Sequence, residues 1–160
     1  MVMANALPQQ FKIVQLAWPQ TTNGGVTSDF VSLKNAHKVT IVAEFIQAVG
    51  HATVVAIRQS DDVSATTTAA GPASARVWVN EDVAASDTLV QGANLASETL
   101  TNDVKKKQVV FEVDASELTD GYDCVYVTVS NSSQASNLVS ITAFLHTRYP
   151  GATPPTAITD

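Results

Sequence analysis

Five stretches of this chain alternate apolar with polar or β-branched residues at a period of two, and each ends on turn residues. They are residues 38–46 (KVTIVAEFI), 51–58 (HATVVAIR), 107–113 (KQVVFEV), 123–129 (DCVYVTV) and 138–147 (LVSITAFLHT). Val, Ile and Thr fit a pleated, half-buried surface, and a period of two puts alternate side chains on opposite faces. No amphipathic helical stretch of useful length separates them. The pattern predicts an all-β protein, a β-sandwich with jelly-roll or Greek-key connections and roughly eight to ten short strands.

The 160 residues suffice for one domain with a sizeable core, so residues 1–160 are expected to form a single sandwich. Extended terminal arms are expected at both ends, an N-terminal arm over 1–9 and a proline-containing tail over 150–160. Residues 11–17 read as a first strand stopped by Trp18 and Pro19. Residues 30–33 and 39–46 flank 34–37 as a hairpin, and 88–91 and 95–100 form another around 92–94. The small, polar run 60–74 reads as a long loop, a length that in compact domains goes with function or disorder. Arg76 to Asn80 resumes a strand.

Face assignments follow from the alternation. In 38–46, Val39, Ile41, Ala43 and Phe45 share one face, and Thr40, Val42, Glu44 and Ile46 share the other. Neither face is cleanly polar, which places this strand in the middle of the sandwich or partly under a partner. In 107–113, Val109, Phe111 and Val113 form the apolar face. In 123–129, Val125, Val127 and Val129 face inward, and Tyr126 and Thr128 face away.

Charged residues make up only 15% of the chain, against about 25% in ordinary soluble domains. A surface of Thr, Ser and Ala has few charges to desolvate on contact and suits a protein packed against neighbours. The net charge is −6, and the one basic run, Lys105 to Lys107, is flanked by Asp103 and Glu112. Nucleic-acid binding, which needs a basic stripe against phosphate, is not expected. A single cysteine, Cys124, allows no internal disulfide and reads as a small buried hydrophobe. Residues 1–5 lack the basic start and apolar stretch of a signal peptide, and no apolar run reaches membrane-spanning length. No membrane association is expected, and Asn131-Ser-Ser reads as a turn.

No constellation for catalysis emerges. Asp114, Glu117, Asp120 and Asp123 recur at intervals of three, but their spacing does not match an EF-hand loop. Asp114 and Glu117 instead fit a capping box over one helical turn, followed by a turn at Asp120 and Gly121. Tyr122, two residues before Cys124, fits a structural corner of a Greek-key sandwich. His37, His51 and His146 sit in no ligand motif. His37 and His51 bracket a strand, which puts them ~25–30 Å apart at about 3.3 Å per residue. His146 is placed at a strand end. There is no nucleophile elbow and no glycine-rich phosphate loop. No catalytic residue, metal or cofactor is therefore expected, and the chain is read as a non-enzyme. Trp18, Trp78, Tyr126 and Tyr149 are the aromatics available to a sugar-binding face.

Several segments carry a family resemblance: 7–11 (LPQQF), 22–29 (TNGGVTSD), 31–41 (VSLKNAHKVTI), 78–89 (WVNEDVAASDTL), 107–114 (KQVVFEVD), 121–124 (GYDC), and the ending 147–149 (TRY) with 152–155 (ATPP). Together they resemble small virion proteins of tailed bacteriophages and prophages. The resemblance implies a head-associated structural protein made in the bacterial host cytoplasm, of the capsid decoration or cement type. Its implied partner is the major capsid protein on the head exterior, with homo-oligomerisation at symmetry axes. Other virion parts (head-fibre base, head-completion or tail module) and a carbohydrate-binding module are the alternatives. The partner-binding residues expected in and beside the arms are Leu7, Phe11, Trp18, Arg148, Tyr149, Pro154 and Pro155.

Overall fold

The computed structural model describes residues 6–93, 95–149 and 155–158. Residues 1–5 of the expected N-terminal arm, and 150–154 and 159–160 of the expected tail, with Pro154, lie outside the described residues.

The chain folds into two antiparallel sheets packed face to face. The first runs β1 (Phe11–Thr21), β12 (Leu138–Thr147), β4 (Ala36–Ile46), β10 (Lys106–Asp114), β7 (Arg76–Asn80) and β8 (Val90–Gln91). In the second, β11 (Cys124–Val129) pairs with β5 (Thr53–Ser60). Along the free side of β11 lie β2 (Val26–Thr27) and β3 (Val31–Ser32), end to end. Along the free side of β5 lie β6 (Thr68–Ala70) and β9 (Ser97–Leu100), also end to end. If each broken edge strand is taken once, β1-β12-β4-β10 faces β2/β3-β11-β5-β6/β9, which is the jelly-roll arrangement. The pair β7–β8 extends the first sheet beyond it.

The alternation explains the core. Val39, Ile41, Ala43 and Phe45 of β4, Val109, Phe111 and Val113 of β10, and Val139, Ile141, Ala143 and Leu145 of β12 are all buried. Val125, Val127 and Val129 of β11, with Val55 and Ile57 of β5, meet them from the second sheet. β4 lies between β12 and β10; its Val39–Phe45 face is buried and its Thr40–Ile46 face is half-buried to exposed. Tyr126 does face away from the core, but Phe30 stacks on it at 4.2 Å between ring centroids and buries it.

Several local expectations are corrected. β1 does not stop at Trp18 and Pro19 but runs to Thr21. It is an edge strand with register shifts between Gln15 and Ala17 and between Ala17 and Gln20, the setting in which a strand tolerates proline. Gln15 fills the first irregularity: its Nε2 donates to the carbonyls of Ala17 (2.7 Å) and Ile141 (3.1 Å), and its Oε1 accepts from Thr142 Oγ1 (3.0 Å). Residues 34–37 do not close a hairpin, because β4 already has partners on both sides. β3 therefore stays on β11, and the segment is a corner between sheets. The run 60–74 is not one long loop. It is a β5–β6 hairpin whose tip is tied by Asp62, which accepts from Ser64 N and from the amide and hydroxyl of Thr66. β8 and β9 likewise belong to different sheets rather than to one hairpin. The expected strand 51–58 begins later, at Thr53, and extends to Ser60.

At the break between β6 and β9 the backbones approach closely enough to require glycine. Ile57 N donates to Ala96 O at 2.8 Å, and a Cβ on Gly71 would lie 2.2 Å from Ile57 O. The chain leaves the β5 edge at Gly71, builds β7 and β8 on the other sheet, and returns at Ala96.

The described residues at the two ends make local contacts. Residues of the N-terminal arm form a short helix, α1 (Leu7–Gln10), where Pro8 occupies the first turn and the Ala6 amide donates to Gln9 Oε1 at 3.3 Å. At the other end Ala157 is buried, and its carbonyl accepts from Ser32 N at 2.7 Å.

Candidate interaction surface

Register places the outward side chains of the first sheet in rows. Across the middle, Gln91, Trp78, Val110, Val42, Thr142 and Gln15 stand side by side. Next to them run Arg76, Glu112, Thr40, Phe144 and Ile13. The centre of this face is thus apolar or uncharged. An ion-pair network occupies one end of the face. Arg76 reaches Asp114 (2.9 Å), Glu112 (3.3 Å) and Glu117 (3.3 Å), and Lys38 reaches Glu112 (3.1 Å). The Asp114 carboxylate holds the Arg76 guanidinium above its usual range. The capping box expected at Asp114 and Glu117 is present, with Asp114 N donating to Glu117 Oε2 at 2.9 Å around a 3-10 turn, Ala115–Glu117. These carboxylates are thereby engaged in structural ion pairs. Among the described residues no group of three or more His, Cys, Asp or Glu is placed to hold a metal ion.

At the opposite end of the same face lies an open hollow of about 330 Å³. Its apolar lining is Pro19, Ile46, Val83 and Leu138, rimmed by Glu44, Lys106, Gln108 and Ser140. Ile46 stands opposite both Lys106 and Leu138, and it is 43% exposed despite being a large aliphatic. Val83 is held there by a built support. Its amide donates to Lys106 O at 3.0 Å, and Asp82 pairs with Lys105 at 3.1 Å. Behind them Glu81 Oε2 meets Lys107 Nζ at 2.7 Å.

Lys107 is the residue that sequence reasoning missed. It shares the inward parity of Val109, Phe111 and Val113, and its side chain is 0% exposed. Besides Glu81 it donates to the carbonyl and hydroxyl of Thr101, both at 2.7 Å. Burial raises the Glu81 carboxyl, but the hydrogen bonds from Lys107 and Thr101 outweigh it and hold the group below its ordinary value of 4.5. The available signal was parity; the letters K-K-K conceal it.

Of the described residues expected to bind a partner, Leu7, Phe11, Arg148 and Tyr149 lie at the charged end of the first sheet, and Trp18 lies towards the hollow. Leu7 is exposed on α1, and Phe11 meets the His146 ring edge-on at 4.4 Å, both at the charged end of the sheet. His146 sits near the end of β12, where burial first, and Lys38 second, hold its pKa below 6.5. Arg148 is used internally: its amide donates to Asn35 O (2.8 Å) and its Nε to Ala36 O (3.1 Å), pinning the corner before β4. Tyr149 is exposed beside it. Trp18 is 75% exposed, next in sequence to the hollow's Pro19. Pro155 is half-buried near the docked Ala157. Sequence reasoning did not single out Ile46, Val83 or Leu138, because their importance comes from register rather than from a motif.

No protein-family model matches the chain, and no curated protein matches it in sequence. Among solved structures it is similar to the SPBc2 prophage-derived protein YomS, with a TM-score of 0.49 at 10% identity over 84% of this chain and 91% of that one. It is also similar to a structure titled "CBM4 structure and function", with a TM-score of 0.32 at 12% identity over 92% of this chain and 90% of that one. At these scores neither likeness carries a functional argument.

Proposed function

We propose that this chain is a phage virion structural protein of the capsid decoration or cement type, acting by binding energy alone and without catalysis. The partner is the major capsid protein on the head exterior, and the place of action is the capsid surface. The observation that carries the reading is the outer face of the first sheet. It is uncharged at its centre and ends in an open apolar hollow whose wall at Val83 is braced by the Val83–Lys106 backbone bond and, behind it, the pair of buried Lys107 with half-exposed Glu81. Exposed aliphatics gathered in one hollow, rather than scattered singly over the surface, support this reading. The sequence resemblance to small virion proteins supplies the partner class.

The test is co-sedimentation of the purified protein with undecorated heads of its phage. Binding is expected to saturate, and Ile46→Asp or Leu138→Asp is expected to abolish it while the fold is kept. Equal binding by both variants would contradict the assignment of this face. A different head or tail part is distinguished by a copy number set by one vertex rather than by the shell.

A second reading rests on Trp78, which stands on this face between Gln91 and Val110. An aromatic ring beside the Gln91 amide offers a sugar an apolar face and a hydrogen-bonding group. Glycan binding lost on Trp78→Ala would favour it.

A further inference from the structure

Asn23 is the one asparagine of this chain followed by glycine. It stands at the exposed tip of the turn from β1 to β2, next to Gly24 at φ 93°. Gly25 N closes the turn by donating to Thr22 O at 3.0 Å, and the positive φ at Gly24 is that of a type II turn. Asparagine before glycine readily loses its side-chain amide, because no side chain at the second residue hinders its backbone nitrogen from attacking the asparagine amide carbon. The surface here leaves that attack open. Asn23 is held through its backbone amide, which donates to Thr21 Oγ1 at 3.1 Å, and its side chain has no hydrogen-bond partner among the described residues. A Cβ placed on Gly24 would meet no atom within 4 Å.

What opposes the attack is the engagement of the nucleophile itself. Gly24 N donates to Asn131 Oδ1 at 2.7 Å, and the same oxygen accepts from Ser133 N at 2.7 Å. The loop that carries Asn131 is fixed in turn. Ser132 N donates to Thr22 O at 3.1 Å, and the buried Thr22 hydroxyl donates to Ser132 Oγ at 2.7 Å. We propose that Asn23 is a site of spontaneous deamidation and that the Asn131 side chain is the latch that sets its rate. The Gly24 nitrogen, once hydroxide has taken its proton, bonds to Asn23 Cγ. The Cγ–Nδ2 bond then breaks, and ammonia leaves with a proton supplied by water. A further water molecule opens the cyclic imide at either carbonyl and gives aspartate or isoaspartate. The hydrogen bond to Asn131 must break before the Gly24 nitrogen can lose its proton and turn towards Cγ. Either product adds a negative charge to the turn, and isoaspartate also adds a carbon to its main chain.

The test is incubation of the full-length chain in mildly alkaline buffer at body temperature. After digestion, the peptide that carries residue 23 is quantified by mass spectrometry, with aspartate and isoaspartate separated by chromatography. Both acids are expected to accumulate at this position, and neither in Asn23→Gln. Asn131→Ala is expected to convert about two- to tenfold faster than wild type, the worth of one hydrogen bond. Asn131→Asp keeps the acceptor and is expected to be no faster than wild type. Wild type unfolded in urea has no latch, and its rate is expected to exceed the native one, a comparison that holds even where the Asn131→Ala chain folds poorly. Native wild type that converts as fast as the unfolded chain, Asn131→Ala that converts no faster than wild type, or an Asn23 that stays intact in Asn131→Ala overturns the proposal.

Discussion

Replacing Glu81 by Gln is expected to destabilise the fold more than replacing Lys107 by Met, although the second change deletes the charge at the centre of the network. The Lys107 ammonium is fully enclosed and makes three contacts of 2.7 Å, to Glu81 Oε2, Thr101 O and Thr101 Oγ1. In Glu81→Gln the ammonium stays buried with only neutral acceptors. Stranding a buried charge costs about 3–5 kcal/mol, and the remaining Thr101 and amide oxygens bring the expected loss to ~2–4 kcal/mol. In Lys107→Met the chain length is kept and the ammonium no longer has to be desolvated. Glu81, 35% exposed, turns to water. Exchanging a buried pair for apolar contacts is often close to neutral, so a net change within about 1 kcal/mol is expected. Urea denaturation with unchanged slope measures both differences. Acid titration adds a check of sign. The folded-state pKa of Glu81 lies below its ordinary value of 4.5, so its contribution is present above about that pH and is lost as pH falls through the folded value. Wild type should show this acid-sensitive component, and Lys107→Met should show it reduced to what the Thr101 hydrogen bonds alone sustain. A Lys107→Met chain less stable than Glu81→Gln would refute the reasoning and make the ion pair a net source of stability.

Two further outcomes follow from the structure. Gly71→Ala forces a Cβ to within 2.2 Å of the Ile57 carbonyl, a backbone atom that cannot turn aside; a loss of about 1–3 kcal/mol by urea denaturation is expected, as for other overpacked sites. The His146 pKa is depressed in the fold, so the unfolded chain binds its proton more readily, and stability should fall as pH drops below 6.5. His146→Asn should flatten that part of the stability curve, and an unchanged slope would show that another group titrates.

The alternation made β4, β10, β11 and β12 legible to within two residues, because each buries one face and period two survives in the letters. It did not reveal which sheet each strand joins. Residues 30–33 and 39–46 looked like hairpin partners because adjacent strands usually pair, but β4 is saturated on both sides and leaves β3 to β11. The interruption of the edge along β5 was hidden because the close backbone approach at Gly71 that marks it has no sequence pattern. Lys107 was masked by a residue type that reads as solvated, and Gln15 by a bulge that has no sequence letter. The hollow escaped notice for a different reason: Ile46, Val83 and Leu138 come from three distant parts of the chain, and only register brings them together. The docking of Ala157 was not legible either, since nothing in its side chain announces it.

The most direct measurement is the number of copies bound per particle when the purified protein is added to undecorated heads of its phage and the particles are imaged. A copy number that follows the shell lattice, with the outer face of the first sheet against the capsid and no occupancy by the Ile46→Asp variant, is the expected result. Particles that remain bare, or that carry the protein at one vertex alone, would contradict a cement role.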